Sequence, residues 1–387
     1  MLTASTPTGS LIDRTYAVAS EVVGAAAADV DRRARFPKEA IDALRDLRVL
    51  GALAPVELGG EGASISEMSE ATSALSRACA STGMVFAMHQ IQVACLVEHT
   101  RTDALTAYLR DEIAGRQALL ASATTELGVG GDVRTSRCAV ESDGERFTLE
   151  KQAPVISYGE YADGVLATAR RGPDSPPSDQ VLVLCRPPGL SLSPLGEWDT
   201  LGFRGTCSRG FALRAEGPAD EVLPDPYAEI SAATMLPVSH ILWSSVWLGM
   251  AQAAVSQARA YVRAQAKKSP GTTPPAAVKL AQLVALEQQL AALVHDGLAR
   301  YEAARSGVET NEMDFALTMN GLKVAASDLV LEIATLALGV CGIEGYREDS
   351  PYSLGRVLRD AHGASLMVSN DRINGHSAQM LLILKEA

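Results

Sequence analysis

The sequence has few of the residues that mark several large classes of protein. Aromatic residues make up only 5% of the 387 positions, and the 34 lysines and arginines are outnumbered by 46 aspartates and glutamates. The resulting net charge of −12 argues against nucleic-acid binding, which needs clustered basic side chains to neutralise phosphates. No apolar run is long enough to span a bilayer, and residues 1–12 lack the basic start and apolar core of a signal peptide. We therefore expect neither nucleic acid nor membrane as a partner.

Cysteine is also scarce. The six cysteines are scattered along the chain, with no C-x-x-C pair and no cluster with histidine. This pattern is typical of free thiols in a reducing compartment and offers no set of zinc ligands. We therefore expect a cytoplasmic protein without a metal site.

The remaining composition is that of an ordinary soluble globular protein, with 47% apolar and 21% charged residues. Apolar residues recur at helical spacing towards both ends of the chain, whereas the middle alternates in period two. This order predicts an N-terminal helical domain (residues 1–117), a central β domain (118–233) and a C-terminal helical bundle (234–387).

The alternating stretch at residues 121–170 organises the middle of the chain. Its apolar positions are separated by polar ones, and a turn signal at 142–145 divides them between two strands. These positions are Val133, Cys138, Val140, Phe147 and Leu149. Further strands are expected at residues 165–168, 181–185 and 211–215. A glycine-rich turn at 125–132 comes first, and it brings main-chain N–H groups within reach of a ligand.

Helical spacing predicts the other elements. The expected helices are at residues 12–28, 36–50, 64–80, 81–99 and 103–114 before the β domain, and at 240–265, 276–307, 315–338 and 378–385 after it.

Several short motifs follow one another in the order found in one known family. The turn at 125–132 is similar to T-E-P-G-x-G-S-D, and Lys151 with residues 156–159 is similar to K-x-W-I-T-N-G. Residues 201–205 resemble L-G-x-R, residues 342–346 resemble G-G-x-G-[FY], and residues 359–361 resemble R-D-A. With these motifs in register, nearly the whole chain resembles the acyl-CoA dehydrogenase family of flavoproteins.

The resemblance implies an α+β fold, in which an N-terminal helical domain, a central β-barrel-like domain and a C-terminal helical bundle follow one another. It implies a homodimer or homotetramer that binds FAD non-covalently, with subunit contacts carried by the bundle. It also implies an oxidoreductase that dehydrogenates an acyl thioester carried by CoA or by an acyl-carrier protein. The acyl chain, the carrier and the electron acceptor are left open.

The resemblance also implies which residues bind the flavin. They are Thr124, Thr125, Gly130, Gly131, Val155, Ser157, Gly342 and Gly345. Hydroxyl and N–H donors here could face the flavin atoms on which negative charge develops during reduction. Ser157 keeps the hydroxyl of the family's threonine, whereas Val155 replaces the tryptophan that covers the flavin. The alternative is that these are ordinary turn and strand residues.

The chain departs from the family at the catalytic base. Val368 occupies the place of the usual glutamate, and the other region used, residues 257–261, contains no acid. The family's R-x-F-G is also replaced, around residues 265–270. Asp371 is the tentative catalytic acid and Glu344 a second candidate, because proton abstraction needs a carboxylate. Asp371 could instead belong to a helix N-cap sequence.

The substrate-binding residues implied by the resemblance are Met88, His89 and Val368, although His89 on an apolar helix could equally be a packing residue. Two other functions stay open, because the usual base is missing. One is a flavin-dependent monooxygenase on the same fold, and the other is a non-catalytic partner subunit of a hetero-oligomer.

Other polar residues of the motifs have simpler expected roles. We expect Glu126 to stabilise the glycine-rich turn, and Arg359 and Asp360 to form a structural ion pair. Arg204 could bind an anion or pair with a neighbouring acid.

Overall fold

The computed structural model describes residues 9–130, 132–308 and 312–384. The N-terminal part is helical and consists of α1 (Leu11–Val18), a π-helical turn (Ala19–Val23), α2 (Gly24–Arg32), α3 (Lys38–Asp46), α4 (Ile65–Ala78), α5 (Ala80–His99), α6 (Asp103–Tyr108) and a second π-helical turn (Leu109–Gly115). Ser10 begins α1 with a capping box, because its hydroxyl accepts the Asp13 N–H at 3.1 Å and its main-chain N–H donates to the Asp13 carboxylate at 3.3 Å. The helices predicted before the β domain are confirmed, apart from shifts at their ends.

Seven strands follow, and they form two sheets in the described part of the chain. The strands are β1 (Leu120–Ala123), β2 (Glu141–Ser142), β3 (Arg146–Ala153), β4 (Gly164–Arg170), β5 (Gln180–Cys185), β6 (Leu190–Pro194) and β7 (Phe211–Pro218). One sheet has the order β1-β4-β5 and the other the order β2-β3-β7-β6. β1 is parallel to β4, while the other neighbouring strands are antiparallel.

Period two is visible along β3, where buried and exposed residues alternate. Phe147 and Leu149 face the core, and so does the buried side chain of Lys151. The predicted strands at 165–168, 181–185 and 211–215 lie within β4, β5 and β7. The expectation that a strand includes Val133, Cys138 and Val140 is wrong, because all three lie before β2, where Ala139 forms an isolated bridge with Arg170.

The C-terminal part is again helical. It consists of α7 (Tyr227–Ile230), a π-helical turn (Ser231–Met235), α8 (Leu236–Lys268), α9 (Ala276–Arg305), α10 (Glu312–Cys341), α11 (Ile343–Tyr346), α12 (Gly355–Ala361) and α13 (Asn370–Leu381). The predicted start of the last helix, at residue 378, is wrong, because α13 begins at Asn370. The first turns of α13 are polar, so the spacing of apolar residues does not predict them.

The chain divides into two compact units. The first unit comprises Met1–Met68, Val85–Asp199 and Arg204–Ser239 and contains all of the strands. The second unit comprises Ser69–Met84, Thr200–Phe203 and His240–Ala387 and is helical. The core of the second unit includes Trp247 of α8, Leu290 of α9 and Val330 of α10, which are fully or almost fully buried.

Three helices correct the expectation that no apolar run is long enough to cross a membrane. By length and composition alone, α5, α9 and α10 are long and apolar enough to do so. The apolar residues of α5 serve the core, because 89% of its most apolar window is buried, whereas only 17% of that of α9 is buried. That the protein makes no membrane contact stays a prediction.

Candidate active site

The glycine-rich turn is held against the end of β3. The Thr125 hydroxyl donates to the Val155 carbonyl at 3.1 Å, and the Leu127 N–H donates to the Gln152 carbonyl at 2.9 Å. Gly130 has a φ of +61°, and a Cβ at this position would meet nothing within 4 Å. The space beside Gly130 is therefore open, as the predicted cofactor contact requires. Gly131, expected in the same contact, lies outside the described residues.

The buried carboxylate of Glu126 and the buried ammonium group of Lys151 stabilise this turn. Glu126 accepts the main-chain N–H groups of Arg137 at 3.1 Å and Cys138 at 2.8 Å, which confirms its expected structural role. Lys151 lies 3.6 Å from Glu126 and donates to the Thr168 carbonyl at 2.7 Å. Burial lowers the pKa of Lys151, although the nearby Cys138 thiol and Glu126 carboxylate act in the opposite direction.

The strand end after β3 carries the next predicted residues. Val155 is 38% exposed and Ser157 is half-buried, so both can be reached by a ligand. Ser157 accepts a hydrogen bond from the Ser208 hydroxyl at 2.8 Å, and Ser208 lies 2.7 Å from the Thr206 hydroxyl. Because Ser157 accepts from Ser208, its own O–H remains to donate to a ligand.

This chain of hydroxyls was not anticipated from the sequence. Thr206 and Ser208 follow the L-G-x-R-like turn, which brings them beside Ser157. Thr124, the remaining predicted contact in this unit, is half-buried, and its carbonyl accepts from the Thr168 hydroxyl at 3.4 Å.

His89 has the packing role that was the alternative to substrate binding. It is fully buried, its Nδ1 accepts the Leu120 N–H at 3.0 Å, and its Nε2 donates to the Leu50 carbonyl at 3.0 Å. Burial lowers its pKa to about 4, which favours the neutral ring. The expectation that His89 binds substrate is therefore corrected, because both ring nitrogens are occupied. Its neighbour Met88 is half-buried, and its substrate contact stays a prediction.

In the second unit, the backbone is unusual at Val368, the residue predicted to occupy the place of the family's glutamate. Val368 is 41% exposed with a φ of +52°, and Ser369 follows with a φ of +35°. Left-handed backbone is rare for a β-branched residue such as valine. Helix α13 begins directly afterwards, but the Ser369 side chain makes no capping hydrogen bond. Asp371 is exposed in the first turn of this helix.

A lysine and an asparagine, also not anticipated, anchor this strained turn. Lys323 of α10 is buried, and it donates to the Asn370 side chain at 2.7 Å and to the Ala364 carbonyl at 3.3 Å. Asn370 in turn donates to the Ser327 hydroxyl at 2.9 Å. Burial lowers the pKa of Lys323 to about 8, although the negative charge of Asp328 acts in the opposite direction.

The two glycines predicted near the cofactor in this unit differ. Gly342 is exposed and has a φ of +58°, which favours glycine, although a Cβ there would meet nothing within 4 Å. Gly345 is buried, and a Cβ there would lie 2.8 Å from the Cys341 Cβ. Helix packing therefore already accounts for glycine at 345. Glu344 between them accepts a hydrogen bond from the Ser350 hydroxyl at 2.9 Å.

Two motifs that lie far apart in the sequence meet in the second unit. The Asp360 carboxylate accepts the Phe203 N–H at 2.6 Å, and a Cβ on Gly202 would lie 2.4 Å from the Arg359 carbonyl oxygen. Arg359 also pairs with Glu348 at 2.7 Å.

Arg204, in the first unit, has the structural contacts that were the alternative to anion binding. It donates to the Asp31 carbonyl at 3.0 Å and lies 3.3 Å from the Asp199 carboxylate. Among the residues that the structure describes, no group of three or more histidine, cysteine or acidic side chains could hold a metal ion.

Comparison with known proteins agrees with this arrangement. Residues 9–116 match the model of the acyl-CoA dehydrogenase N-terminal domain, and residues 231–368 match that of the C-terminal domain. The chain belongs to the acyl-CoA dehydrogenase family. It is 26% identical over 351 residues to the probable acyl-CoA dehydrogenase fadE25 of Mycobacterium leprae, covering 89% of this chain and 87% of that protein. The expected family and α+β fold are confirmed.

Two solved structures show how widely this fold is used. Butyryl-CoA dehydrogenase of Megasphaera elsdenii superposes with a TM-score of 0.83 at 19% identity, covering 96% of this chain and 97% of that chain. FMN-bound TdsC, a dibenzothiophene monooxygenase of a Paenibacillus species, superposes with a TM-score of 0.84 at 19% identity and the same coverage. At this identity the likeness shows the fold alone. Membership of the family makes this acyl-CoA dehydrogenase-like chain a flavoprotein oxidoreductase.

Proposed function

We propose that this acyl-CoA dehydrogenase-type oxidoreductase binds FAD and removes the α-proton and β-hydride of an acyl thioester. The observation that carries the proposal is the glycine-rich turn of the first unit, where a Cβ on Gly130 would meet nothing within 4 Å, together with Ser157, which accepts a hydrogen bond from Ser208 and so can donate its own O–H. The flavin, when bound, supplies the hydride acceptor. The chain's own residues would hold it, with Thr125 and Ser157 near the ring and Val155 in the place of the covering tryptophan.

We further propose Asp371 as the acid that takes the α-proton in place of a glutamate at position 368. Its carboxylate is exposed, and it lies in the helical turn that directly follows Val368. Glu344 is the weaker candidate, because its carboxylate is already engaged by Ser350. A general base contributes roughly 100- to 10,000-fold to the rate, so Asp371→Asn should slow the reaction by at least about 100-fold.

The experiment is an anaerobic titration of the purified protein with a panel of acyl-CoAs, followed by the visible flavin spectrum. Bleaching by one substrate class supports dehydrogenation. Asp371→Asn should then suppress bleaching, while Glu344→Gln serves as the matched control and should bleach as the natural protein does. A protein that never retains flavin after reconstitution contradicts the proposal.

The expectation that Val368 replaces the family's glutamate supports a second candidate function, a flavin-dependent monooxygenase. Such an enzyme needs oxygen and a source of reduced flavin instead of a base near the thioester. A bound flavin that no thioester bleaches, but that oxidises a substrate when oxygen and a flavin reductase are added, would favour it. A chain that copurifies with a homologous subunit and shows neither reaction would be a non-catalytic partner.

We propose that the chain acts as a cytoplasmic homo-oligomer. The support is α9, whose apolar window is only 17% buried within one chain, together with six cysteines that are all free. Burying that face against a second copy would remove apolar surface from water. Sedimentation velocity measures the state directly, and a monomer at micromolar concentration would contradict this proposal.

A further inference from the structure

A stripe of buried polar side chains runs along one face of α10. This helix is apolar enough by composition to cross a membrane, yet Asn320, Lys323 and Ser327 are only 4%, 0% and 1% exposed. Their spacing of three and four residues places them on the same face of the helix. Burying polar groups costs free energy unless they have hydrogen-bond partners, so this polar stripe needs an explanation.

Each residue of the polar stripe contacts α13. Asn320 donates to the Ser377 hydroxyl at 3.1 Å, in the second half of that helix. Lys323 donates to the Asn370 side-chain oxygen at 2.7 Å, and the Asn370 amide donates to the Ser327 hydroxyl at 2.9 Å. The polar stripe therefore holds both the start of α13 and its later turns.

Apolar packing within the chain does little to fix the direction of α13. Among the described residues of this helix, Ile373 alone is buried. Because hydrophobic burial is non-directional, one apolar anchor leaves a helix free to rotate and to shift. The hydrogen bonds of the polar stripe therefore set how α13 lies against α10.

Lys323 makes the strongest of these contacts. Burial lowers its pKa only to about 8, so the ammonium group is charged at neutral pH. Charged donors form hydrogen bonds roughly twice as strong as neutral ones. The group also lies 5.6 Å from the centre of the Trp247 ring, whose face attracts a cation. Removing this ammonium group should therefore loosen the start of α13 more than removing another member of the polar stripe.

The same ammonium group closes the turn that precedes α13. It donates to the Ala364 carbonyl at 3.3 Å as well as to Asn370, so it joins residues on both sides of the left-handed backbone at Val368. Such a backbone persists only where the surroundings impose it. Lys323 therefore fixes the path of the chain up to the residue directly before Asp371.

We propose that Lys323 is a positioning residue for proton abstraction: through Asn370, it sets where the Asp371 carboxylate is held. This inference rests on the proposed function of Asp371. Lys323 touches no reacting atom and keeps its proton throughout. A displacement of about 1 Å can cost a reaction about 100-fold, so loss of the ammonium group should lower the maximal rate of flavin reduction about 10- to 100-fold. The half-saturating substrate concentration should change by less than about twofold, because the lost contact acts on the reaction and not on substrate binding.

The test is the rate of anaerobic flavin reduction in the flavin-loaded full-length protein, measured in stopped flow at several concentrations of the acyl-CoA that bleaches the natural protein. Lys323→Met and Asn370→Ala should each lower the maximal rate about 10- to 100-fold. The double variant should lose no more than either single variant, since both changes remove the same contact. Asn370 is half-buried, so its replacement tests the contact even if Lys323→Met does not fold.

Ser377→Ala is the matched control. It breaks the contact between the polar stripe and the second half of α13, and it leaves Lys323 and Asn370 paired. The maximal rate should therefore stay unchanged. Equal slowing by Ser377→Ala and Asn370→Ala would overturn the proposal, because any loosening of α13 would then slow the reaction. A higher half-saturating concentration with an unchanged maximal rate in Asn370→Ala would overturn it as well.

Amide hydrogen exchange, read by mass spectrometry, separates this inference from the proposed function because it needs no substrate. The Asn370 N–H donates to the Ser365 carbonyl at 3.0 Å, so the turn has protected amides. Exchange at residues 365–371 should be at least about tenfold faster in Lys323→Met and Asn370→Ala, and unchanged in Ser377→Ala.

The two failures give different results. If Asp371→Asn prevents bleaching while Lys323→Met and Asn370→Ala bleach at the natural rate, the thioester function stands and the positioning role fails. If no thioester bleaches the flavin, the thioester function fails, and faster exchange in Lys323→Met still supports the assignment of Lys323 to the turn. Unchanged exchange in both variants would overturn that assignment.

Discussion

The buried ion pair beneath the glycine-rich turn gives a sharp prediction. Replacing Glu126 by glutamine removes one negative charge and leaves the Lys151 ammonium group, whose side chain is fully buried, without its counter-charge. It also weakens the carboxylate contacts that hold the main chain of Arg137 and Cys138. Because those contacts fix the turn that faces the proposed flavin, stability and flavin retention should fall together.

The size of the effect follows from the burial of both partners. Breaking a buried pair by removing one partner costs about 3–5 kcal/mol, since it leaves an uncompensated charge in a poorly solvated site. Glutamine keeps one acceptor oxygen, so Glu126→Gln should lower the free energy of unfolding by about 3 kcal/mol. Adding Lys151→Met removes the stranded charge, and the double variant should regain part of this loss.

The assay is urea denaturation of the flavin-free protein, together with the flavin content of the purified variants. Glu150→Gln is the matched control, because Glu150 lies on the same strand next to Lys151 but pairs with Arg214 at the exposed surface. Exposed pairs contribute about 0–1 kcal/mol, so this control should change little. Equal effects of Glu126→Gln and Glu150→Gln, or strictly additive losses in the double variant, would refute the reasoning.

Further predictions concern pH and helix packing. Burial lowers the pKa of His89 and His240 from 6.5 to about 4. Between these two pH values the unfolded chain binds more protons than the folded chain, so the free energy of unfolding should fall as the pH drops from 6.5 to about 4. Glutamine at either position should weaken that dependence, measured by urea denaturation at several pH values. Burial lowers the pKa of Lys323 from 10.5 to about 8, so stability should rise with pH across that interval, and Lys323→Met should flatten the rise. Gly249→Ala would place a Cβ 2.3 Å from the Ser73 carbonyl oxygen and should cost about 1–3 kcal/mol in thermal unfolding, whereas Gly321→Ala meets open space and should stabilise its helix by about 0.5–1 kcal/mol.

Much of the fold could be predicted, because the buried face of a helix or strand carries apolar residues at a regular spacing in the sequence. The alternation along β3 is visible in the sequence, because Phe147 and Leu149, two positions apart, are both buried in the core. Strands β1 and β6 were missed for different reasons. Leu120–Ala123 is short and almost fully buried, so it shows no alternation, and Leu190–Pro194 lies at a sheet edge with largely exposed residues. Such strands are defined by their partners more than by their own residues.

The candidate site was only partly predictable, because its contacts join residues distant in sequence. The hydroxyl chain joins Ser157 to Ser208, and the motif contact joins Phe203 to Asp360. The spacing of residues in the sequence predicts neither contact. His89 was ambiguous for a related reason, since its two partners, Leu50 and Leu120, belong to segments far from its helix.

The turn at Val368, the residue predicted to occupy the place of the family's glutamate, has a backbone that its own side chain does not explain. Two consecutive non-glycine residues with left-handed backbone cost about 1–3 kcal/mol each, and valine gains nothing from such a conformation. The surroundings must therefore impose it, and the anchor of Asn370 to Lys323 and Ser327 is one contact that does so, beside the main-chain hydrogen bonds of the turn. Since that anchor does not involve the side chain at 368, replacing Val368 should leave the turn intact, and Asp371, the acid proposed to take the α-proton, would act from a fixed backbone.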